Sequence, residues 1–145
     1  MKSKNPEKLK VVVDTSVFVA ALLSKRGASA EVVALALAGK VHSFHTESTM
    51  QELSEVLRRP KFGVDKQVVD HFVRLVMEAS FLVAPLSEFS VQKCRDPKDD
   101  VFLSLANQTE ADYLISLDAD LLDLKKLGRT LIVRSAEFLE AFRRT

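Results

Sequence analysis

The spacing of hydrophobic residues changes repeatedly along the chain between the pattern of a strand and that of a helix. The clearest strand signal is Leu9 to Val13, in which three valines immediately precede Asp14. Further strands are predicted at residues 41–44, 81–83, 113–116 and 130–133. Helices are predicted at residues 16–23, 30–38, 46–58, 66–80, 97–109, 119–124 and 135–143. Strands that alternate with helices are typical of an α/β sandwich with a mainly parallel sheet.

Residues at the predicted helix ends support several of these boundaries. Ser29 is predicted to cap the second helix and Gly39 to end it. Asp96 is predicted to cap the helix that opens with Pro97. Residues 1–8 are polar and show no periodicity, so we expect a flexible N-terminal segment before a single domain at residues 9–143.

Length and composition narrow the class of protein. A chain of 145 residues, 47% of them hydrophobic, is the size of one domain and can bury a proper core. The formal net charge of +1 gives no overall field that would attract a polyanion, so nucleic-acid binding would depend on local basic clusters. The single cysteine, Cys94, excludes an internal disulfide and suits a reducing compartment. No apolar run is long enough to cross a bilayer, so we expect a cytoplasmic protein with no membrane partner.

Two aspartates stand at the carboxyl ends of predicted strands. Asp14 follows the valine run, and Asp118 follows the strand at residues 113–116. Both are candidate functional residues, because ligands of open α/β sheets bind at the edge where the parallel strands end. Either aspartate could instead cap the helix that comes after it. Capping alone explains less well why two strands end in acids at the same edge.

Helix geometry distinguishes two further acids from their neighbours. On the helix at residues 46–58, Glu52 lies at the border of the apolar stripe, whereas Glu55 points away from it. On the helix at residues 97–109, Asp99 shares a face with the apolar residues that follow it, whereas Asp100 lies on the polar side. Two alternatives stay open: Glu52 as an ordinary flanking charge, and Asp99 as an acid stabilised by free backbone N–H groups of the first turn.

The four carboxylates would require a cation if they met. Each close pair would repel by about 4 kcal/mol at roughly 4 Å with an effective dielectric constant of about 20. No basic residue adjoins Asp14 or Asp118, and the three histidines lack the spacing of a zinc site. A ligand set made only of oxygen atoms favours Mg²⁺ or Mn²⁺, as one ion or two. Such an ion suits phosphodiester hydrolysis, because it lowers the pKa of bound water and stabilises the attacking and leaving oxygens.

Several ordered motifs resemble those of the PIN-domain ribonucleases. They are Val11-Val12-Val13-Asp14-Thr15-Ser16, the helical Glu52, Asp96-Pro97-Lys98-Asp99-Asp100 with the helix to Ala106, and Ser116-Leu117-Asp118-Ala119-Asp120. The resemblance covers about Leu9 to Phe142 and looks closest to the VapC-type toxins of bacterial and archaeal toxin–antitoxin systems. It implies a three-layer sandwich with a sheet of roughly five parallel strands and with Mg²⁺ or Mn²⁺ at its carboxyl edge.

The resemblance also implies residue roles and partners. The residues that correspond to the family's metal-binding acids are Asp14, Glu52, Asp99 and Asp118, with Asp100 left as the alternative to Asp99. The residues at supporting positions are Ser16, Ser116 and Asp120. RNA is the implied substrate, and the implied protein partners are a second copy of the chain, in a homodimer, and a small antitoxin.

Other functions fit these residues less closely. A phosphodiesterase that acts on DNA is the nearest enzymatic alternative, and a non-catalytic module that binds RNA or a protein is the alternative from another class. A haloacid-dehalogenase-like phosphatase would need a second aspartate at the position of Ser16, and a receiver domain would need paired acids near the first strand. Basic residues that could hold RNA, or serve only solubility, cluster as Arg58, Arg59 and Lys61, as Lys125, Lys126 and Arg129, and as Arg143 and Arg144.

Overall fold

A sheet of six strands runs through the middle of the structure, a computed structural model that describes residues 8–145. The strands are β1 (Lys10–Val13), β2 (His42–His45), β3 (Phe81–Leu82), β4 (Tyr113–Ile115), β5 (Lys126–Leu127) and β6 (Thr130–Val133). Their order across the sheet is β3-β2-β1-β4-β6-β5, and every neighbouring pair is parallel except β5 and β6. The valine run predicted as the first strand is therefore a central strand.

Seven helices connect the strands within residues 8–145. They are α1 (Thr15–Leu23), α2 (Ala28–Leu37), α3 (Glu47–Leu57), α4 (Lys66–Ala79), α5 (Pro97–Thr109), α6 (Ala119–Leu122) and α7 (Ser135–Arg143). Asp96 caps α5, as predicted, and Asp65 caps α4; each accepts a hydrogen bond from a backbone N–H group of the first turn. None of these seven helices has both the length and the hydrophobicity that crossing a membrane requires.

The alternation of side chains along the strands separates two apolar cores. Val11 and Val13 pack into one core with residues of α1, α2, α3, α4 and α7. Val12 and Leu114 pack into the other core with residues of α5 and α6. Because successive strand residues point to opposite faces of a sheet, β1 is covered by helices on both sides. The predicted three-layer α/β sandwich is confirmed.

The hydrophobic pattern does not predict β5. Its two residues are too few to show an alternation, and the strand is defined by antiparallel pairing with β6 across a turn that contains Gly128. Gly128 has a φ of 56°, in the left-handed region that favours glycine. The sheet consequently has one strand more than the resemblance implies.

The predicted start of α2 is wrong. The helix begins at Ala28, directly after Gly27, whose φ of 117° is readily adopted only by glycine. Ser29 therefore lies inside the helix instead of capping it, and its hydroxyl lies 2.9 Å from the hydroxyl of Ser135 in α7. The flexible segment predicted at residues 1–8 lies outside the described residues, apart from Lys8.

The order of the strands creates a crevice at the carboxyl ends of β1 and β4. The chain passes from β1 to β2 on one side, whereas β4 and β6 lie on the other side. Such a switch in strand order is where open α/β sheets bind ligands, because the connecting helices diverge there. Asp14 and Ser116 are the residues that follow β1 and β4 at this point.

Candidate active site

Asp14 is held at the floor of this crevice. Its backbone N–H donates to the carbonyl oxygen of Ile115 at 2.9 Å, which continues the pairing of β1 with β4 beyond the last strand residue. Only 3% of the residue is exposed, and one carboxylate oxygen accepts hydrogen bonds from the hydroxyls of Ser16 and Ser116, both at 2.7 Å. The side chain makes no capping hydrogen bond to α1, so capping does not explain this aspartate.

The two serines connect Asp14 to the loop that carries Asp118. Ser16 accepts a hydrogen bond from the backbone N–H of Leu117 at 3.0 Å, and Ser116 accepts one from the N–H of Asp118 at 2.9 Å. Each hydroxyl thus donates a hydrogen bond to Asp14 and accepts a hydrogen bond from a backbone N–H of the β4–α6 connection. This network fixes the position of Asp118 relative to Asp14, and it places both predicted supporting serines directly on Asp14.

Three further carboxylates converge beside Asp14. Carboxylate oxygens of Asp99, Asp118 and Asp120 lie within 4.8 Å of one another. Asp99 comes from the first turn of α5, whereas Asp118 and Asp120 stand at the start of α6. One oxygen of Asp118 also accepts the N–H of Asp120 at 2.9 Å, so Asp118 caps α6 as well as joining the group. The resemblance assigns Asp120 only a supporting position, yet its carboxylate belongs to the same close group as those of Asp99 and Asp118.

The carboxylates perturb one another's titration. The pKa of Asp14 is raised above its usual value, mainly by burial and also by the negative charge of Asp118. The hydrogen bonds from Ser116 and Ser16 oppose this shift. The pKa of Asp99 is raised to about 7, first by burial and then by the negative charges of Asp118 and Asp14. Without a cation, the group therefore holds a proton on Asp99 at a pH where an isolated aspartate would be ionised.

Asp100 has a different role from its neighbour. Its carboxylate accepts hydrogen bonds from the backbone N–H groups of Lys93 and Cys94, at 2.9 and 2.8 Å, and so anchors the segment before α5. Asp96 supplies the cap of α5 by accepting from the N–H of Lys98 at 3.0 Å. Asp99 is therefore the acid of this helix that faces Asp14 and Asp118, in the direction that the helical spacing predicts.

Glu52 stands at the side of the carboxylate group. One oxygen of its half-buried side chain accepts a hydrogen bond of 2.6 Å from the hydroxyl of Thr15, which links α3 to the start of α1. Glu52 and Lys98 both line a cavity of about 230 Å³ between α3 and α5. The close group of Asp99, Asp118 and Asp120 does not include Glu52. Glu55 is exposed, as its position on the helix predicts.

A basic segment that the sequence did not predict lies beside the site. Lys93, Arg95 and Lys98 are exposed within the six residues that precede Asp99. Cys94 lies among them, and burial together with the charges of Asp100 and Asp99 raises the pKa of its thiol to about 11. Only the dense sequence Lys-Cys-Arg-Asp-Pro-Lys could have signalled this segment, because its position depends on how the irregular chain before α5 folds.

The donor set suits a hard divalent cation. All the converging ligand atoms are carboxylate oxygens, which Mg²⁺ and Mn²⁺ prefer, and no histidine belongs to the group among the described residues. The raised pKa of Asp99 is a second sign of fit, because burial and then the negative charges of Asp118 and Asp14 oppose its ionisation, and a cation would neutralise those charges.

Comparisons with known proteins agree with this geometry. The family model of the PIN domain matches residues 10–120, which include β1, α5 and all four converging aspartates. An uncharacterized protein of Methanocaldococcus jannaschii is similar to the chain, with 26% identity over 154 aligned residues that cover 98% of this chain and 97% of that protein. The resemblance of the motifs to the PIN domain is confirmed, and the chain belongs to the PIN domain family.

Proposed function

We propose that this protein is a metal-dependent endoribonuclease. PIN domains are generally nucleases, which makes phosphodiester hydrolysis the class of reaction to test. The observation that carries the proposal is the convergence of Asp14, Asp99, Asp118 and Asp120 at the switch in strand order. A surface that only binds RNA would gain nothing from negative charge concentrated at its centre, since the phosphates are also negative.

In this proposal the carboxylates would bind Mg²⁺ or Mn²⁺, and two serines orient one of the carboxylates by hydrogen bonds. Asp14, Asp99, Asp118 and Asp120 supply the oxygen atoms, and Glu52 supplies a further acid from α3. A divalent ion in such a site supplies positive charge that lowers the pKa of water and stabilises the oxygens of the phosphodiester. Ser16 and Ser116 keep Asp14 oriented, and Asp99 gives up its proton when a cation enters.

The test is the cleavage of nucleic acid by the purified chain. A mixed single-stranded RNA and a DNA of the same sequence are each incubated with Mn²⁺ and with EDTA. We expect RNA to be cut at internal positions with Mn²⁺ and to stay intact with EDTA. DNA cut as fast as RNA would favour the DNA phosphodiesterase, and metal-dependent binding without any cleavage would favour the non-catalytic module.

The biological setting is also a proposal, supported by the resemblance of the motifs to VapC-type toxins. We propose that the chain acts in the cytoplasm as a homodimeric toxin and is neutralised by a small antitoxin. Induced expression in a bacterial host should then arrest growth, whereas expression of an Asp118→Asn variant should not. Light scattering should give twice the mass of one chain. Normal growth at high expression would contradict the toxin role, and a monomer in solution would contradict the homodimer.

A further inference from the structure

A cavity of about 490 Å³ opens beside the candidate active site. It lies between the start of α3, the irregular segment at residues 85–92 and the first three turns of α5. Its volume is in the range of roughly 300–1,000 Å³ that is usual for small-molecule sites. Ser48 and Val101 line both this cavity and the smaller one that contains Glu52 and Lys98. The two cavities therefore adjoin each other, and the smaller one extends to Glu52, which accepts a hydrogen bond from Thr15 next to Asp14.

The walls of the larger cavity are apolar and its rim is polar. Pro85, Leu86, Val91, Val101 and Leu105 provide the apolar surface. Ser48, Ser90 and Gln92 also line it, and no side chain of these three makes a hydrogen bond to another residue within 8–145. Apolar walls with free donors and acceptors at the rim suit a flat ring that carries polar groups on its edge, such as a nucleobase.

Positive charge is concentrated in the segment that connects the lining of this cavity to the first turn of α5. Gln92 and Pro97 line the cavity, and Lys93 and Arg95 lie between them in the chain. Together with Lys98 these cations are exposed, and no carboxylate of the described residues lies within 4.0 Å of their charged groups. Asp100 fixes this segment through the N–H groups of Lys93 and Cys94. Exposed cations on a fixed segment match the phosphates of a nucleic-acid strand rather than an apolar peptide.

We propose that the larger cavity binds a base of single-stranded RNA close to the scissile phosphate. The phosphates of the same strand contact Lys93, Arg95 and Lys98 on the way to the carboxylates. An unpaired strand is required, because a base can enter a cavity only when it is free of a duplex partner. This inference rests on the proposed function for its choice of RNA, and it adds the position of a base to that function.

The position of the base is tested by photocrosslinking in EDTA, where metal-dependent cleavage cannot remove the RNA. Single-stranded RNA containing 4-thiouridine is irradiated with the full chain, and the crosslinked peptides are identified by mass spectrometry. We expect crosslinks to residues 85–92 and to the first turns of α5. The double variant Ser48→Leu/Gln92→Ala should lower their yield by at least about fivefold. The matched control, Ser24→Leu/Gln67→Ala, changes exposed residues of the same types outside the cavity and should not alter the yield.

The role of the basic segment is tested by the salt dependence of RNA binding. Each phosphate contact on a single strand contributes about 0.7 to the slope of log affinity against log salt, so Lys93→Ala/Arg95→Ala should reduce the slope by about 1.4. The control, Lys25→Ala/Arg26→Ala, removes an exposed Lys–Arg pair beyond the end of α1 and should leave the slope unchanged.

Each contrary result has a distinct meaning. Crosslinks that map only outside the cavity, or an unchanged slope in the Lys93→Ala/Arg95→Ala variant, would overturn the proposed subsite. If the wild-type chain still cuts RNA with Mn²⁺ in that case, the nuclease proposal stands without the subsite. A wild-type chain that binds no single-stranded RNA would overturn the subsite directly. Circular dichroism of each variant verifies that a lost crosslink does not reflect an unfolded chain.

Discussion

At the scale of single residues, the site depends on which atoms of each aspartate are already engaged. Asp14 uses one oxygen to accept two serine hydroxyls, and Asp118 uses one to cap α6. Asp99 makes no hydrogen bond to a backbone N–H among the described residues, since Asp96 caps α5 in its place. Asp99 is thus an acid whose surroundings oppose its charge, which is typical of functional sites.

Exchanging Asp99 or Asp100 for asparagine should separate a metal ligand from a structural acid. In EDTA, Asp99→Asn should leave the free energy of unfolding unchanged or raise it, because the change removes repulsion from Asp118 and Asp14. Asp100→Asn should lower it by about 1 kcal/mol, because two backbone N–H groups lose a charged acceptor. Millimolar Mn²⁺ should raise the melting temperature of Asp100→Asn but not of Asp99→Asn. The opposite pattern would make Asp100 the ligand.

Glu52 and Glu47 form a second matched pair on one helix. A glutamine at position 52 can still accept the hydrogen bond from Thr15, so Glu52→Gln should fold normally. Because the charge near the metal is lost, we expect RNA cleavage with Mn²⁺ to slow by at least about tenfold. Glu47→Gln changes an exposed residue that lines neither cavity, and this variant should cleave at the wild-type rate. Equal rates for the two variants would remove Glu52 from the proposed metal site.

At the scale of the elements, the fold follows from signals that are local in the sequence. The valines of β1 and the Asp96-Pro97 start of α5 were enough to predict both elements, because burial and capping act within a few residues. β5 and the first turn of α2 could not be predicted in this way. β5 has too few residues to show an alternation and is defined by its pairing with β6 across the turn at Gly128, and the backbone conformation of Gly27 decides where α2 begins.

The junction of β2 and α3 adds a pH dependence to the stability of the fold. His45 is buried against Phe18, its Nδ1 lies 3.1 Å from the hydroxyl of Thr49, and its Nε2 has no hydrogen-bond partner among the described residues. Burial lowers the pKa of His45 from 6.5 to about 4. Between pH 6.5 and about 4, His45 is protonated in the unfolded chain but not in the folded chain. The free energy of unfolding therefore falls as the pH falls.

Replacing His45 by leucine should remove this contribution. When the pH is lowered from 7 to 4, the free energy of unfolding of the wild type should fall by roughly 3 kcal/mol more than that of His45→Leu. The comparison of two proteins cancels the titration of the carboxylates, which are the same in both. His71→Leu, at an exposed position on α4, is the control in urea unfolding series across this pH range. A difference that does not vary with pH would show that His45 is protonated equally in both states.

At the scale of the whole molecule, the site is a consequence of topology. The sequence predicts that Asp14 and Asp118 lie at one edge, because parallel strands end together, and that Asp99 faces inward from its helix. The structure groups Asp120 with Asp99 and Asp118, although the resemblance implies only a supporting position for it. The cavity beside α5 and its basic segment could not be predicted, because residues 85–95 have no periodicity and their position depends on contacts with α5. Such contacts are the hydrogen bonds that the side chain of Gln108 donates to the carbonyl oxygen of Ala84 and accepts from the N–H of Leu86. Another is the hydrogen bond that Asp100 accepts from the N–H of Lys93.

The central claim is that Asp14 and the carboxylates beside it make RNA cleavage possible. The most direct measurement is the rate of RNA cleavage by Asp14→Asn and by Asp123→Asn under the same Mn²⁺ concentration. Asparagine can still accept the two serine hydroxyls, so the fold should persist while the rate falls by at least about hundredfold. Asp123→Asn changes an exposed acid at the end of α6 and should cleave like the wild type. An Asp14→Asn variant that cleaves RNA at the wild-type rate would contradict the account.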